Sequence, residues 1–330
     1  MGAGTARAKT LAAWADKYHV AMEPVTMSSG RSLNELLHSH EQWLDGVATG
    51  IRAILDRETL NGFRLGPINL RNAILRCASM LDCDLSGADL SDTIIDAVGF
   101  ERAILSNCDL SSTQVSEGNF AFSWMTACQL TDAKLRGSNF QKANLRAARL
   151  QGALIEGCKF RGADLSESAL HQVRILTSDF SEADFHKAQF IRAQLNLCRF
   201  VGAHGSGANF GHAVIKSCDF ARADLGGAQL VCADLTGSEF DRSDLHDCDF
   251  REAVLKNVKL GQADLSYARF RGANLFAADL RGADLTGAQE LTAAQLSQSR
   301  TDERTILPNG SRGPYSRLSG AERPAVMIPR

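Results

Sequence analysis

The chain has 330 residues and a formal net charge of −2. So balanced a charge gives no reason to expect binding to nucleic acid or to an anionic membrane surface. No stretch approaches the roughly twenty apolar residues that span a bilayer, and residues 1–31 lack the apolar run of a cleavable signal sequence. These features predict a cytoplasmic protein without a membrane span, and they leave secretion open.

The N-terminal part contains one helix pattern. Residues 1–31 are weakly patterned, which predicts a poorly ordered lead. Ser32 and Glu35 then form a capping-box pattern, in which the two side chains satisfy backbone N–H groups at the start of a helix. Apolar residues follow at helical spacing. The sequence therefore predicts a capping helix within residues 32–50.

A five-residue repeat occupies residues 51–290. Between Leu65 and Leu285 every fifth residue is Leu, Ile, Val, Met or Phe at 44 of 45 positions, and a small residue stands two places before almost all of them. Neither a helix nor a strand has this period, so the backbone is predicted to turn a corner every five residues. Gly205 is the exception; it should leave a void or a kink rather than a ligand pocket at His204.

A second period, of twenty residues, determines the predicted cross-section. Twenty residues are four pentapeptides, so each coil should have four sides. Coils that are joined by strand-like hydrogen bonds rise about 4.8 Å each, which predicts roughly eleven coils and a rod on the order of 50 Å long. One column of phenylalanines should stack inside the coils as a structural ladder: Phe100, Phe120, Phe140, Phe160, Phe180, Phe200, Phe220 and Phe240.

The repeat resembles a known family. Segments of the form Ala-Asp-Leu, at 88–90, 163–165, 223–225 and 283–285, make the sequence similar to the pentapeptide-repeat proteins. The resemblance covers about 230 residues and implies an all-β solenoid, a right-handed quadrilateral β-helix. The capping patterns outside the repeat add short helical caps at both ends to this prediction. It says little about function, because the family includes proteins that protect DNA gyrase, secreted effectors and proteins without a known role.

The C-terminal part is predicted to close the solenoid. The repeat stops after Leu285, and Thr292 and Gln295 form a second capping-box pattern. Residues 291–307 should therefore form a C-terminal cap with a short helix, which a solenoid needs to cover its last coil. Residues 308–330 are rich in Pro, Gly, Ser and Arg, and this composition predicts disorder.

Patterns for catalysis or metal binding are absent from the sequence. There is no glycine-rich phosphate loop, nucleophile elbow or zinc-protease motif. His38 and His40 are two residues apart, which places their rings on different sides of a helix. The sequence therefore predicts a protein that is not an enzyme and has no cofactor or metal.

Seven of the nine cysteines fall on small inward positions and are expected to be reduced core residues: Cys83, Cys108, Cys128, Cys158, Cys198, Cys218 and Cys248.

One outward column is acidic. With its flanking residues, that side of the coil holds nine acids and three bases. Aspartate at this position can bind backbone N–H groups at the corner, which is the structural interpretation. The alternative, implied by the resemblance to gyrase-binding proteins, is a surface that imitates DNA. The candidate acidic partner face consists of Asp164, Asp184, Asp224, Asp244, Asp264 and Asp284.

Two candidate contact surfaces are apolar. Phe122 and Trp124 fall outside the inward positions, so they should protrude beside each other, and exposed apolar patches usually mark contacts. Leu291 and Leu296 should cover the last coil, or they could pack against a second copy in an end-to-end dimer. A homodimer therefore remains an alternative for either surface.

The preferred interpretation is a non-catalytic scaffold that binds another protein, with no direct binding to nucleic acid. One alternative is a DNA mimic that binds DNA gyrase or another topoisomerase. The other is an effector or accessory protein of a bacterial secretion system, in which residues 1–31 would serve delivery or docking.

Overall fold

The computed structural model describes residues 26–324. The chain divides into two compact units, residues 1–154 and 155–330, and both consist of parallel β-solenoid coils. The expectations for residues 1–25 and 325–330 lie outside the described residues.

The first unit begins with helix α1, Leu33–Leu44. One side of its coils then forms short strands, each paired in parallel with the strand twenty residues later. These strands are β1 (Ile54–Asp56), β2 (Ile74–Arg76), β3 (Ile94–Asp96), β4 (Gln114–Ser116) and β5 (Lys134–Arg136), and β6 (Leu154–Glu156) spans the sequence boundary between the units.

The second unit continues the same pattern and ends in a helix. Its strands are β7 (Arg174–Leu176), β8 (Gln194–Asn196) and β9 (Val214–Lys216), and its helix is α2 (Ala293–Gln298). Complete strands recur every twenty residues from Ile54 to Val214. These nine strands enclose eight turns, which is fewer than the eleven coils predicted. The difference arises because later coils pair on this side through single β-bridges, such as that between Val214 and Asp234.

Each coil has four sides, because β-bridges recur every five residues and always join residues twenty apart. One full set joins Thr59 to Ser79, Arg64 to Asp84, Asn69 to Asp89 and Ile74 to Ile94. Nearly all corner residues adopt a left-handed conformation, with φ of 55° at Asp82 and 60° at Phe122. This conformation is costly for residues other than glycine, and hydrogen bonds between coils offset the cost. The N–H of Phe122, for example, donates to the carbonyl of Gln141 at 2.9 Å.

Stacked phenylalanines fill one inward column in each unit. Successive ring centroids are 4.9 and 4.8 Å apart for Phe100, Phe120 and Phe140 in the first unit. In the second unit the separations are 4.5, 5.0, 4.5 and 4.8 Å for Phe160, Phe180, Phe200, Phe220 and Phe240. These separations match the rise of about 4.8 Å per coil, so the rings stay in contact along each column.

The exception at Gly205 does not leave a void. A Cβ atom at Gly205 would lie 1.8 Å from Cε2 of Phe185, so the ring of Phe185 already occupies that space. Phe185 is buried and meets Phe190, Phe200 and Phe210 edge-on, with centroids 5.8, 5.7 and 6.0 Å apart. A large residue on one coil therefore compensates for the glycine on the next. The prediction of a void at Gly205 is wrong.

Helix α1 is joined to the first coil by a buried histidine. The helix begins after Ser32, whose hydroxyl accepts a hydrogen bond from the N–H of Glu35 at 3.4 Å. His40 Nδ1 accepts a hydrogen bond from the N–H of Ala53 at 3.0 Å. Nε2 therefore carries the proton and donates to the carbonyl of Arg71, also at 3.0 Å. Burial lowers the pKa of His40, so this residue serves as a neutral structural link.

A buried carboxylate ties the residues before α1 to the same coil. Glu58 is 1% exposed and accepts hydrogen bonds from Ser28 Oγ at 2.8 Å, Ser29 N at 3.1 Å and Arg31 Nη2 at 2.8 Å. Burial alone would raise the pKa of Glu58, but these hydrogen bonds outweigh it and lower the pKa to about 2. The repeat pattern alone does not predict this pair, although Glu58 stands at an inward position that usually holds a small residue.

Helix α2 closes the second unit. It has the capping box predicted from Thr292 and Gln295. The side-chain amide of Gln295 also donates to the carbonyls of Phe270 and Ala273, at 2.8 and 2.9 Å. A solenoid end exposes unpaired carbonyl groups, and this one residue satisfies two of them.

Residues 308–324 pack against the cap that precedes them, although the composition of residues 308–330 predicts disorder. Ala321 is 3% exposed, and the N–H of Tyr315 donates to the hydroxyl of Thr301 at 2.8 Å. Composition alone predicted disorder because the segment is poor in apolar residues. The preceding cap supplies the partners that the isolated segment lacks.

Candidate protein-binding surfaces

Six aspartates form one outward column in the second unit, which we name the aspartate column: Asp164, Asp184, Asp224, Asp244, Asp264 and Asp284. Parallel β-bridges align neighbouring members of the column. His204 takes the position between Asp184 and Asp224, so the column is interrupted once.

Each carboxylate in the column also holds its own corner. Its Oδ1 atom accepts the backbone N–H two residues later, at distances from 2.9 to 3.2 Å. The hydroxyls of Ser166 and Thr286 add second bonds, at 2.5 Å each, to Asp164 and Asp284. Such turns stabilise the local backbone, and the charge nevertheless stays partly exposed, with 45% of the Asp244 side chain accessible. The column therefore has a structural role whether or not it binds a partner.

The charge of the aspartate column is weaker than that of DNA. One aspartate per coil is one charge per about 4.8 Å, whereas the DNA duplex carries one per about 1.7 Å. His246 Nδ1 lies 2.6 Å from Asp244 Oδ1, and this hydrogen bond raises the pKa of His246. A protonated His246 cancels part of the acidic charge, so any imitation of DNA by this surface is incomplete.

The first unit carries an exposed apolar cluster, which we name the corner patch: Ile104, Phe122 and Trp124. These side chains are 39%, 52% and 56% exposed, and a β-bridge joins Ile104 to Trp124 on the next coil. Lys142 Nζ lies 5.7 Å from the centroid of the Phe122 ring. Stacking of coils thus adds Ile104 to the two residues that the sequence indicated and places a cation beside them.

Leu291 and Leu296 are buried within their own unit, 4% and 1% exposed. Their burial fits a role in covering the last coil, which is one of the two roles considered for them. An end-to-end dimer through these side chains would require them to leave their positions, because almost none of their surface faces outward.

A comparison with protein-family models matches the chain to pentapeptide repeats. The matched residues are 59–95, 128–166, 163–200, 183–220, 218–257 and 253–288. The chain belongs to the pentapeptide-repeat family.

Solved structures of other pentapeptide-repeat proteins resemble this one. HetL, which is involved in heterocyst differentiation regulation in the cyanobacterium Nostoc sp. strain PCC 7120, is 21% identical over 82% of this chain and 98% of its own, with a TM-score of 0.27. QnrB1, a plasmid-mediated fluoroquinolone resistance protein, is 20% identical over 67% of this chain and 91% of its own, with a TM-score of 0.31. A protein of the Arabidopsis thaliana thylakoid lumen is 30% identical over 32% of this chain and 72% of its own, with a TM-score of 0.26. A search of curated proteins found no match.

Burial makes several core thiols of this pentapeptide-repeat protein weaker acids, whereas a hydrogen bond with Cys218 lowers the pKa of Cys198. The seven cysteines expected in the core are buried, whereas Cys77 and Cys232 are exposed. Burial raises the pKa of Cys83 to about 11 and that of Cys108 to about 12, so few molecules carry the reactive thiolate at neutral pH.

Across residues 26–324, no group of three or more His, Cys, Asp or Glu side chains could hold a metal ion. No helix in the same range is long and apolar enough to cross a membrane.

Proposed function

We propose that this pentapeptide-repeat protein is a non-catalytic scaffold that binds another protein. The corner patch is the observation that carries the proposal, because its three large apolar side chains are between 39% and 56% exposed. Clustered exposed apolar side chains usually mark contact surfaces, and tryptophan is a common anchor of such contacts. The coil already holds the patch in place, so binding a partner costs little conformational entropy at the patch.

The chemistry of the remaining described residues supports the non-catalytic part of the proposal. Burial raises the pKa values of Cys83 and Cys108, and the described residues offer no cluster for a metal ion. The flat sides of a regular coil also differ from the concave clefts that usually bind substrates.

We expect the double variant Phe122→Ser/Trp124→Ser to lose the bound partner. Removing an interface anchor costs about 2 kcal/mol or more, which is more than tenfold in the dissociation constant. Immobilised full-length protein and its variant would be compared for the proteins that they retain from a cell extract, with melting curves to show that both are folded. Phe276→Ser is the matched control, because Phe276 is 58% exposed but lies in the second unit. If the double variant retained the same proteins as strongly as the wild type, the corner patch would not be the binding surface.

A second candidate function is that of a DNA mimic that binds a topoisomerase. The in-register alignment of the aspartate column favours it, since regularly spaced carboxylates can steer a basic DNA-binding groove toward the protein. The interruption at His204 and the low charge density make it the weaker candidate.

A gyrase supercoiling assay tests this second candidate. The wild type should inhibit supercoiling at micromolar concentration, and Asp224→Asn/Asp264→Asn should weaken inhibition about fivefold, because each exposed charge pair contributes up to about 1 kcal/mol. Asparagine keeps the side-chain oxygen that accepts the backbone hydrogen bond at the corner. The matched control is Asp179→Asn/Asp219→Asn, since those aspartates accept the same corner bonds, at 2.9 and 3.0 Å, in another column. Wild-type protein without any effect on gyrase would remove this candidate.

A further inference from the structure

We propose that a second copy of this chain occupies the corner patch, and that the two copies lie side by side and antiparallel about a two-fold axis. The inference rests on the proposed function in one respect, because both treat the corner patch as a contact surface. It goes further by naming the occupant and the register, and both follow from the order of charges along the corner.

The corner patch belongs to two outward columns of the first unit. The first column contains Asp82, Arg102, Phe122 and Lys142, and the second contains Asp84, Ile104, Trp124 and Asn144. Successive β-bridges join the four members of the second column from coil to coil. Both columns are acidic at one end. The middle of the first column holds Arg102 and Phe122, and a base ends it, whereas the middle of the second column is apolar.

A two-fold axis perpendicular to the stack of coils makes these columns complementary to themselves. If the axis passes midway between the coils of Ile104 and Trp124, it reverses the order of the coils and leaves each column facing its own copy. Ile104 then faces the partner's Trp124. Arg102 faces the partner's Phe122, and Asp82 faces the partner's Lys142. Symmetry repeats each contact in the opposite direction.

The side chains are already arranged for these contacts. Arg102 is paired edge-on with Asp82 of its own chain, with Nε–Oδ1 at 2.7 Å and Nη2–Oδ2 at 2.8 Å, so the flat face of its guanidinium can stack on a ring. Lys142 lies over Phe122 of its own chain, next to the place where the partner's Asp82 would come. The apolar pair in the centre would be surrounded by these polar contacts, as in most protein interfaces.

Other registers along the same corner are less favourable. An axis through the coil of Trp124 would place Arg102 opposite the partner's Lys142, which is a contact of like charges. An axis through the coil of Ile104 would place Asp82 opposite the partner's Phe122, a carboxylate against the negative face of a ring. Repulsion in the alternatives selects one register.

The expected dimer is weak and sensitive to salt. Stable interfaces bury about 1,200–2,000 Å² in total, and three apolar side chains per copy place this one at or below the lower limit. We therefore expect a micromolar dissociation constant that rises with salt, since the Asp82 and Lys142 pairs at the rim are exposed and are screened.

Sedimentation of the full-length chain over the micromolar range tests the occupant. The wild type should shift from 35.6 kDa toward about twice that mass. Asp82→Lys and Lys142→Asp alone should each weaken the dimer about tenfold or more, and the two together should restore it, because the exchanged charges again face each other across the axis. A purely structural role for these residues would not produce restoration, and failure of the double variant to recover would overturn the register.

Disulfide cross-linking tests the register separately. In a background with Cys77→Ser and Cys232→Ser, one chain would carry Asp84→Cys and the other Asn144→Cys. The mixture should form a covalent dimer on oxidation, whereas neither variant should cross-link to itself, because the symmetric copies of each site are three coils, or about 14 Å, apart. Cross-linking of each variant to itself, at the rate of the mixture, would overturn the antiparallel arrangement.

The outcomes for the dimer and for the scaffold can be told apart. A wild type that stays at 35.6 kDa at the highest concentration overturns the dimer. If Phe122→Ser/Trp124→Ser still abolishes capture of another protein in that case, the scaffold stands without the dimer. A dimer that is insensitive to Trp124→Ser and to both charge reversals would place the contact elsewhere and overturn the inference.

Discussion

Replacing Gly205 with leucine should strongly destabilise the second unit, even though leucine is a usual residue at this position of the repeat. A Cβ atom there would already lie 1.8 Å from the ring of Phe185, so a whole leucine side chain has no space. Inserting bulk into a packed core typically costs about 1–3 kcal/mol and sometimes more. We expect a loss of about 3 kcal/mol or more in the free energy of unfolding, measured by chemical denaturation.

A second substitution should reverse that loss. Phe185→Leu alone leaves a cavity and should cost about 1–3 kcal/mol. Combined with Gly205→Leu, it places two ordinary leucines on neighbouring coils, and the double variant should approach the stability of the wild type. Gly205→Leu with Phe250→Leu is the control pair, because Phe250 stacks on Phe270 and does not contact Gly205. The costs of the two control substitutions should add. If the costs of Phe185→Leu and Gly205→Leu also added, Phe185 would not be the residue that fills the space.

The second large effect should follow from inserting two residues between Asp224 and Leu225. The insertion lies within a flat side, where the neighbours Ala223 and Leu225 are both buried, so it cannot bulge outward easily. In the shifted register Asp241, His246 and Arg251 would take inward positions, and burying unpaired charges costs several kcal/mol each. We expect loss of cooperative unfolding in the thermal melt of the second unit.

Two further insertions serve as controls for this experiment. A duplicate of residues 223–242, inserted after Arg242, adds one whole coil and should be tolerated because every later side chain keeps its side. Two residues inserted after Gly227, at an exposed corner, should cost less because the chain can loop into solvent. If the insertion at Asp224 melted like the twenty-residue duplicate, the five-residue register would not control the core.

The sequence by itself determined the coil and the contents of its core. Every inward position recurs after five residues and every side after twenty, so the environment of Phe120 or Leu165 can be assigned without coordinates. The helix starts at Ser32 and Thr292 were also predictable, because capping depends on residues within one turn. The same register placed Phe122 and Trp124 outside the core.

Tertiary structure alone decided the features that depend on contacts between coils or at the ends. Phe185 fills the space of Gly205 from a neighbouring coil, and the register of the repeat does not say how far a ring reaches. The pair of Glu58 with Arg31 joins the segment before α1 to the first coil, where the repeat pattern is weak. Ala321 is buried because the preceding cap gives its segment a surface to pack on, whereas composition describes that segment only in isolation. Periodicity specifies the direction of each side chain, and the packing of neighbouring coils and caps determines what that side chain meets.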